Sequence, residues 1–468
     1  MKPIYAIQAL FLVGVCLLNW AAWHHPFFWD TIQLGAKHAH WYYENQFAHL
    51  LLPDEIDSGH PPFFGMLLAG VWLIFGKSLL VSHAMMLPFL LGITLLLFRL
   101  GQYLTSREQA WILPVLVWAD PVFLGQSVLV SPDIVLVFGF LCCLIGILEK
   151  RNSAILVGAL ILAAISTRGM MTVALLYVLD LIMQPDRRIQ TLIQRAWPYV
   201  PSGLLALAFL IYHYQVKGWI GYHEASPWAY SFQKATGSEL VKNGAILGWR
   251  MLDYGRIFIW LGLAFILFRH QLARLWSSAA GFRQMTVLFL LTIPALCSTF
   301  LLYKGLQGYR YLLPVFLSLT FVFVAALGHT HLPKLWKNAI LGMAIIGLLT
   351  GNLWIYPDKI SQGWDATLAH WPYYQLRQDM LHYLENEGIP LAEVGTAFPE
   401  IGPLKYKDLS EREDGLSEKD FNSSQYLLYS NVMNDYTDEE IDQLQTEDWQ
   451  ELRRKQKGGI KMILYKRN

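Results

Sequence analysis

The chain has 468 residues, of which 54% are hydrophobic and only 15% charged. Its mean hydropathy is +0.34. Soluble domains carry roughly 25% charged residues, so this composition excludes an ordinary soluble enzyme. A formal net charge of +1 with no basic stripe also excludes a nucleic-acid-binding surface. The balance is uneven. Residues 357–468 hold 13 Lys+Arg against 21 Asp+Glu, or −8, which leaves 23 against 14, or +9, in residues 1–356. Cys16, Cys142, Cys143 and Cys297 all lie inside apolar runs, so neither a disulfide framework nor a zinc spacing is present.

In chain order, residues 4–23 follow Lys2 and end in Trp20 and Trp23. An apolar run of about 20 residues is too long for a cleaved signal region and reads as an uncleaved anchor. Residues 24–64 form a polar loop that carries Asp30, His38, His40, Glu44, Asp54, Glu55, Asp57 and His60. Further spans are expected at 79–98, 109–129, 134–148, 153–167, 170–184, 197–216, 255–268, 285–303, 311–328 and 338–356, each approaching the roughly 20 residues that cross a bilayer. Residues 62–76 are shorter and read as an interfacial helix. If they do not cross, Arg99/Arg107, Lys150/Arg151, Arg187/Arg188/Arg195, Arg269/Arg274/Arg283 and Lys334/Lys337 all fall on one side. The positive-inside rule makes that side cytoplasmic. The fold class is therefore a polytopic all-α membrane protein of about 11 spans with interfacial helices in the first outer loop. The membrane domain covers 1–356. Residues 357–468 form a small extracytoplasmic α/β domain. A helix is expected over 373–387, ended by Gly388, with strands at 392–397, 426–430 and 461–465. Thr437 is placed to cap a helix over 438–455, with acids in its first turn and Arg453, Arg454 and Lys455 in its last, matching the helix dipole. This region holds no evident nucleophile and base.

Several residues on the outer side have the chemistry of a site. Asp30 precedes Ile32, Ala36, Ala39, Tyr43 and Phe47, the spacing of one helical face, and with Gln33 it fits a capping box. The same carboxylate suits a general base that meets an acceptor hydroxyl. In Asp57-Ser58-Gly59-His60-Pro61-Pro62 the prolines force an extended turn before a helix, and a histidine there suits phosphate binding, proton handling or a metal. Arg168 sits in an outer turn, and Lys304 with Arg310 in another. Both run against the positive-inside trend, and an outward phosphate headgroup would explain them. Asp133 is read as a helix cap or sugar contact. Asp120 is an intramembrane acid beside Pro121, and His83 a packing residue.

Taken together, the order of these motifs resembles the GT-C superfamily of membrane glycosyltransferases, in the branch of protein O-mannosyltransferases and the lipid A aminoarabinose transferase. The resemblance rests on Trp29-Asp30, on His60-Pro61-Pro62 opening a short helix that ends Phe75-Gly76, and on Pro132-Asp133. It continues in Thr167-Arg168-Gly169, where relatives often have Thr-Lys-Gly, and in Arg310-Tyr311-Leu312-Leu313-Pro314, and covers about residues 1–330.

It implies inverting transfer of a sugar from a polyprenyl-phosphate carrier to a lipid, glycan or protein acceptor, on the outer face of a bacterial cytoplasmic membrane. Asp30 would act as base or acceptor-orienting acid. His60, standing where the aminoarabinose branch has a lysine, would bind donor phosphate with Arg168, Arg310 and Lys304. Asp57 and Asp133 would contact sugar or acceptor. Two departures bear on metal binding: Thr31 follows Asp30 where many relatives have Glu, and Gly59 replaces a Glu before His60. No cofactor is assigned, and a divalent metal is left open, with Asp57 as the compensating acid. The rival readings are a flippase or transporter of a lipid-linked sugar, a glycan ligase or polymerase of the same superfamily, and an inactive scaffold.

Overall fold

A computed structural model describes residues 3–468 apart from Pro185, Arg187, Pro227 and Gln271. Lys2 and Arg187, which enter the anchor and orientation readings, lie outside the described residues. Helices dominate as far as residue 351. Four of them, Ile4–Ala22, Leu79–Leu104, Ala280–Leu302 and Tyr309–His329, are long and apolar enough to cross a membrane. Two bent pairs raise that number to six: Pro121–Ser127 with Pro132–Leu148 at 116°, and Ser238–Leu252 with Ile257–Arg269 at 79°. The other expected spans are helices too, but the 14 residues of Asn152–Ile165 reach only about 21 Å at 1.5 Å per residue, short of a roughly 30 Å hydrocarbon core.

Two expectations in this region are corrected. The run 109–129 is not one helix: Ile112–Ala119 stops at Asp120, and Pro121 starts a second helix, because proline removes a backbone donor and clashes with the preceding turn. The connection expected after Lys217 contains a helix, Ser238–Leu252, with Glu239 in its first turn and Arg250 in its last.

The first long loop folds as a π-helical turn Ile32–Lys37, a short helix His38–Glu44 and the helix Phe63–Phe75. After Ile32, Ala36 and Ala39 the buried face runs on to Tyr42, three residues along the short helix, with the expected Tyr43 half-buried against the core. Phe63–Phe75 buries Phe64, Leu68 and Trp72 while Leu73, Ile74 and Phe75 stay exposed. Its 13 residues also fall short of a bilayer crossing.

After residue 356 a six-stranded mixed sheet forms from β1 (Val394–Thr396), β2 (Gly402–Pro403), β3 (Gly415–Glu418), β4 (Tyr426–Ser430), β5 (Trp449–Lys457) and β6 (Ile460–Arg467), in the order β2-β3-β1-β4-β6-β5. The helix Trp371–Asn386 packs on β5 and β6. The expected helix over 438–455 is corrected to a short helix, Asp438–Gln443, followed by β5. The Thr437 cap is present as read, and Glu440 completes it as a capping box. Beyond it Gly458 and Gly459, at φ of 57° and 82°, turn the chain so that β5 pairs antiparallel with β6, and that pairing overrides local helix propensity. The core of this sheet also takes in Phe28 and Leu129. Phe27 N–H donates to the Lys407 carbonyl at 2.8 Å, which ties the first loop to the sheet region.

Candidate functional site

Four separate segments converge on Arg310, in the turn Tyr309–Leu312. Its guanidinium donates to Asp30 and to Asp133 (3.1 Å), and Nε lies 3.4 Å from Asp365. Arg168 donates to the other oxygen of Asp133 at 2.6 Å and to the Arg310 carbonyl at 3.0 Å. Asp133 therefore bridges two guanidinium groups, and Ser131 is the cap of its helix. Arg168 is aimed by its helix. Ser166 caps Thr167–Met183 through the Gly169 N–H. A Cβ on Gly169 would stand 1.9 Å from the Leu162 carbonyl oxygen, so only glycine lets the two helices meet closely enough there.

Asp30 does not cap its helix, as the capping box would have it. Its carboxylate binds Arg310 instead, and the Gln33 Oε1 has no hydrogen-bond partner. Thr31 closes the local turn, its hydroxyl donating to the Phe28 carbonyl at 2.6 Å and accepting from the Phe28 N–H at 3.1 Å. Thr31 thus has a structural role of its own. Trp29 is left-handed, with φ of 56°. For a bulky residue that is a strained conformation of the kind that clusters at functional sites.

His60 stands on a rigid turn. Asp57 accepts from the Gly59 N–H (2.8 Å) through one oxygen and meets His213 Nε2 (3.2 Å) through the other. Asp57 therefore holds the turn and is not among the residues lining the cavity. Gly59 is left-handed (φ +66°), and a Cβ there would meet the Gly221 carbonyl at 2.1 Å. His60 Nδ1 lies 3.0 Å from the Thr167 hydroxyl, which leaves Nε2 for the cavity. Burial, reinforced by Arg168, pushes its imidazole down to about 4. His60 is thus neutral at pH 7 and can serve a phosphate as a hydrogen-bond donor rather than as a charge.

Around these groups is a cavity of about 1020 Å³, open to solvent, lined by Ser58, His60, Pro61, Pro62, Asp133, Thr167, Arg168, Arg310 and Tyr311, with Trp228 and Phe232 on its wall. Pro61 and Pro62 also line an apolar groove of about 1310 Å³ between Met66, Leu160, Ile161, Leu205 and Phe209. A largely apolar cavity that holds the charged cluster and an apolar groove thus share one edge.

Two expected residues lie elsewhere. Lys304 is not brought to the cluster; it pairs at 2.9 Å with Glu239, both half-buried. Asp120 caps the Pro121 helix through Val122 and Phe123 N–H groups and takes a two-pronged bond from buried Arg256, both at 2.9 Å. It is a structural ion pair. His83 is a packing residue as read, bonded to the His25 carbonyl at 3.1 Å.

Three residues escaped the reading of the sequence. Asp365 lies in the region expected to be a separate domain, with no local motif to betray it. Gln126 donates to its carboxylate at 3.1 Å and its carbonyl at 2.9 Å. Burial pushes the Asp365 carboxyl up to about 7, against the pull of Arg310. The Ser58 hydroxyl, buried and without a hydrogen-bond partner, lines the cavity; its place beside His60 was the available signal. Among the described residues no three His, Cys, Asp or Glu side chains are grouped to hold a metal ion, and the carboxylates of the cluster face guanidinium groups.

No family model and no curated protein matches the chain. Among solved structures it is similar to the crystal structure of ArnT from Cupriavidus metallidurans bound to undecaprenyl phosphate. The TM-score is 0.49 at 15% identity, covering 81% of this chain and 72% of that one.

Proposed function

We propose that the protein is a membrane glycosyltransferase of the GT-C type. It would transfer a sugar from a polyprenyl-phosphate carrier to an acceptor hydroxyl at the outer face of the cytoplasmic membrane, with inversion. In this reading the basic loops lie inside and residues 357–468 form an outer domain. The observation that carries the proposal is the shared edge at Pro61-Pro62. A single amphiphile with an anionic head and a long apolar tail fits both sides of it. The tail would lie along Met66, Leu160 and Phe209, and the phosphate would meet Arg168, Arg310 and the Nε2 of neutral His60.

The chemistry follows from these groups. The acceptor oxygen forms its bond to the anomeric carbon as the bond from that carbon to the phosphate oxygen breaks, and the electron pair stays on the phosphate. Two guanidinium groups in a poorly solvated pocket stabilise that charge. As the phosphate takes up Arg310, the Asp30 carboxylate is released to receive the hydroxyl proton. The test uses purified protein in sealed proteoliposomes, a polyprenyl-phosphate sugar labelled in the sugar, and envelope extract as acceptor. Label is expected to appear on an envelope molecule, with polyprenyl phosphate released. Label that crosses the bilayer while still on its carrier would mean a flippase and overturn the proposal.

A further inference from the structure

The cluster around Arg310 has an uneven charge count. Three carboxyl groups, Asp30, Asp133 and Asp365, face the one guanidinium of Arg310, and among the described residues Arg168 adds the second cation of the cluster, through Asp133. With all three acids ionised the site is net −1 before any donor arrives, a poor receptor for a phosphodiester. A proton on one of the three makes it neutral. Asp30 and Asp133 each hold a close guanidinium bond, whereas Asp365 has the longest contact, at 3.4 Å, and an amide donor at 3.1 Å. It is also buried.

We infer that Asp365, carried by the C-terminal region, is a positioning residue that takes up a proton when the donor phosphate binds. It holds Arg310 in place before binding and then, as a neutral acid, removes the excess negative charge behind the phosphate. This inference rests on the proposed function and gives it a proton balance. One proton moves from solvent to the Asp365 carboxylate, no covalent bond in the donor changes, and the proton leaves again with the polyprenyl phosphate. The unpartnered buried Ser58 hydroxyl in the same cavity is an independent sign that the pocket awaits an oxygen-rich ligand.

Each element packed around Asp365 sets its own groups against it. The helix Pro121–Ser127 offers only the Gln126 amide. The turn Tyr309–Leu312 offers Arg310, with Tyr309 and Tyr311. Asp30 and Asp133 approach from the first loop and the Pro132 helix, and Arg168 stands beyond Asp133. His370, in the next turn of its own segment, is pushed by burial down to about 4 and stays neutral, as does His60.

The sign follows from linkage. Because the donor anion favours the protonated acid, affinity is full below about 7 and falls by up to tenfold per pH unit above it. The probe is undecaprenyl methyl phosphate, a diester whose own charge is constant over this range. Titrations of the full-length protein in nanodiscs from pH 6 to 9 are expected to give that fall, with close to one proton taken up per ligand at pH 8 by calorimetry in two buffers. Asp365→Asn should bind with a flat profile. An unchanged pH profile in Asp365→Asn, or zero proton uptake by the unmodified protein, overturns the inference and leaves the proposed function standing. Failure of the unmodified protein to bind the probe at any pH overturns both. The proton count on the unmodified protein decides the matter even if the variant does not fold.

Discussion

The substitution that bears most directly on the proposed chemistry is Asp30→Asn. Asparagine is the same size and keeps an acceptor oxygen for Arg310, which retains Asp133 at 3.1 Å and Asp365 at 3.4 Å. The Asp30 side chain is 20% exposed, so one charge-assisted bond weakens without leaving an uncompensated buried charge. The expected stability cost is about 1 kcal/mol. Donor binding should be unchanged or tighter, since one negative charge has left the pocket. The chemical step should suffer far more. A positioned general base contributes about 10²–10⁴-fold, or about 3–5 kcal/mol at 1.36 kcal/mol per decade. Single-turnover transfer of labelled sugar by the purified variant, with donor affinity and thermal unfolding measured on the same sample, separates these effects. Unimpaired turnover would remove Asp30 from the chemistry, and a large loss of thermal stability would show that its bond to Arg310 serves folding instead.

Other outcomes follow from the same geometry. Arg168→Ala should weaken donor binding about 10–100-fold, the worth of one hydrogen bond from a charged donor at about 1.5–3 kcal/mol, and equal affinity would remove Arg168 from the phosphate site. Arg310→Ala is expected to unfold the region instead, since it strips the guanidinium from Asp30, Asp133 and Asp365 at a cost of about 3–5 kcal/mol. Lys304→Ala breaks only a solvent-screened pair with Glu239, of a kind that contributes little; donor affinity should hold within twofold, and a tenfold loss would return Lys304 to the phosphate. Asp120→Ala leaves Arg256 buried without its partner and removes a helix cap. It should cost about 4–6 kcal/mol in melting experiments, and near-normal stability would contradict the structural reading of that pair. A cysteine at Ser78 should react with an impermeant thiol reagent from outside. Reaction only from the cytoplasmic side would mean that Phe63–Phe75 crosses the bilayer.

What the sequence determined by itself was local. Apolar runs marked the long helices before residue 351, the prolines after His60 marked the start of Phe63–Phe75, and Thr437 marked a true helix cap. Each is settled within a few residues by burial, backbone sterics or a short-range hydrogen bond. Arg168, Lys304 and Arg310 were also legible as anomalies against the expected charge pattern, though not their partners. Only tertiary structure separated Arg310 from Lys304, neighbours in sequence that end up on different acids. Only tertiary structure turned Asp30 from a cap into the partner of a residue 280 positions away. The same limit explains the misread helix over 438–455, whose second half became a strand because β6 lay across a two-glycine turn. It explains Asp365 most clearly: nothing around it in the chain differs from a surface loop, and its burial depends on Gln126, 239 positions distant. The charge a buried carboxyl carries depends on which cations and dipoles the fold sets beside it, and that information does not reside in any stretch of the chain taken alone.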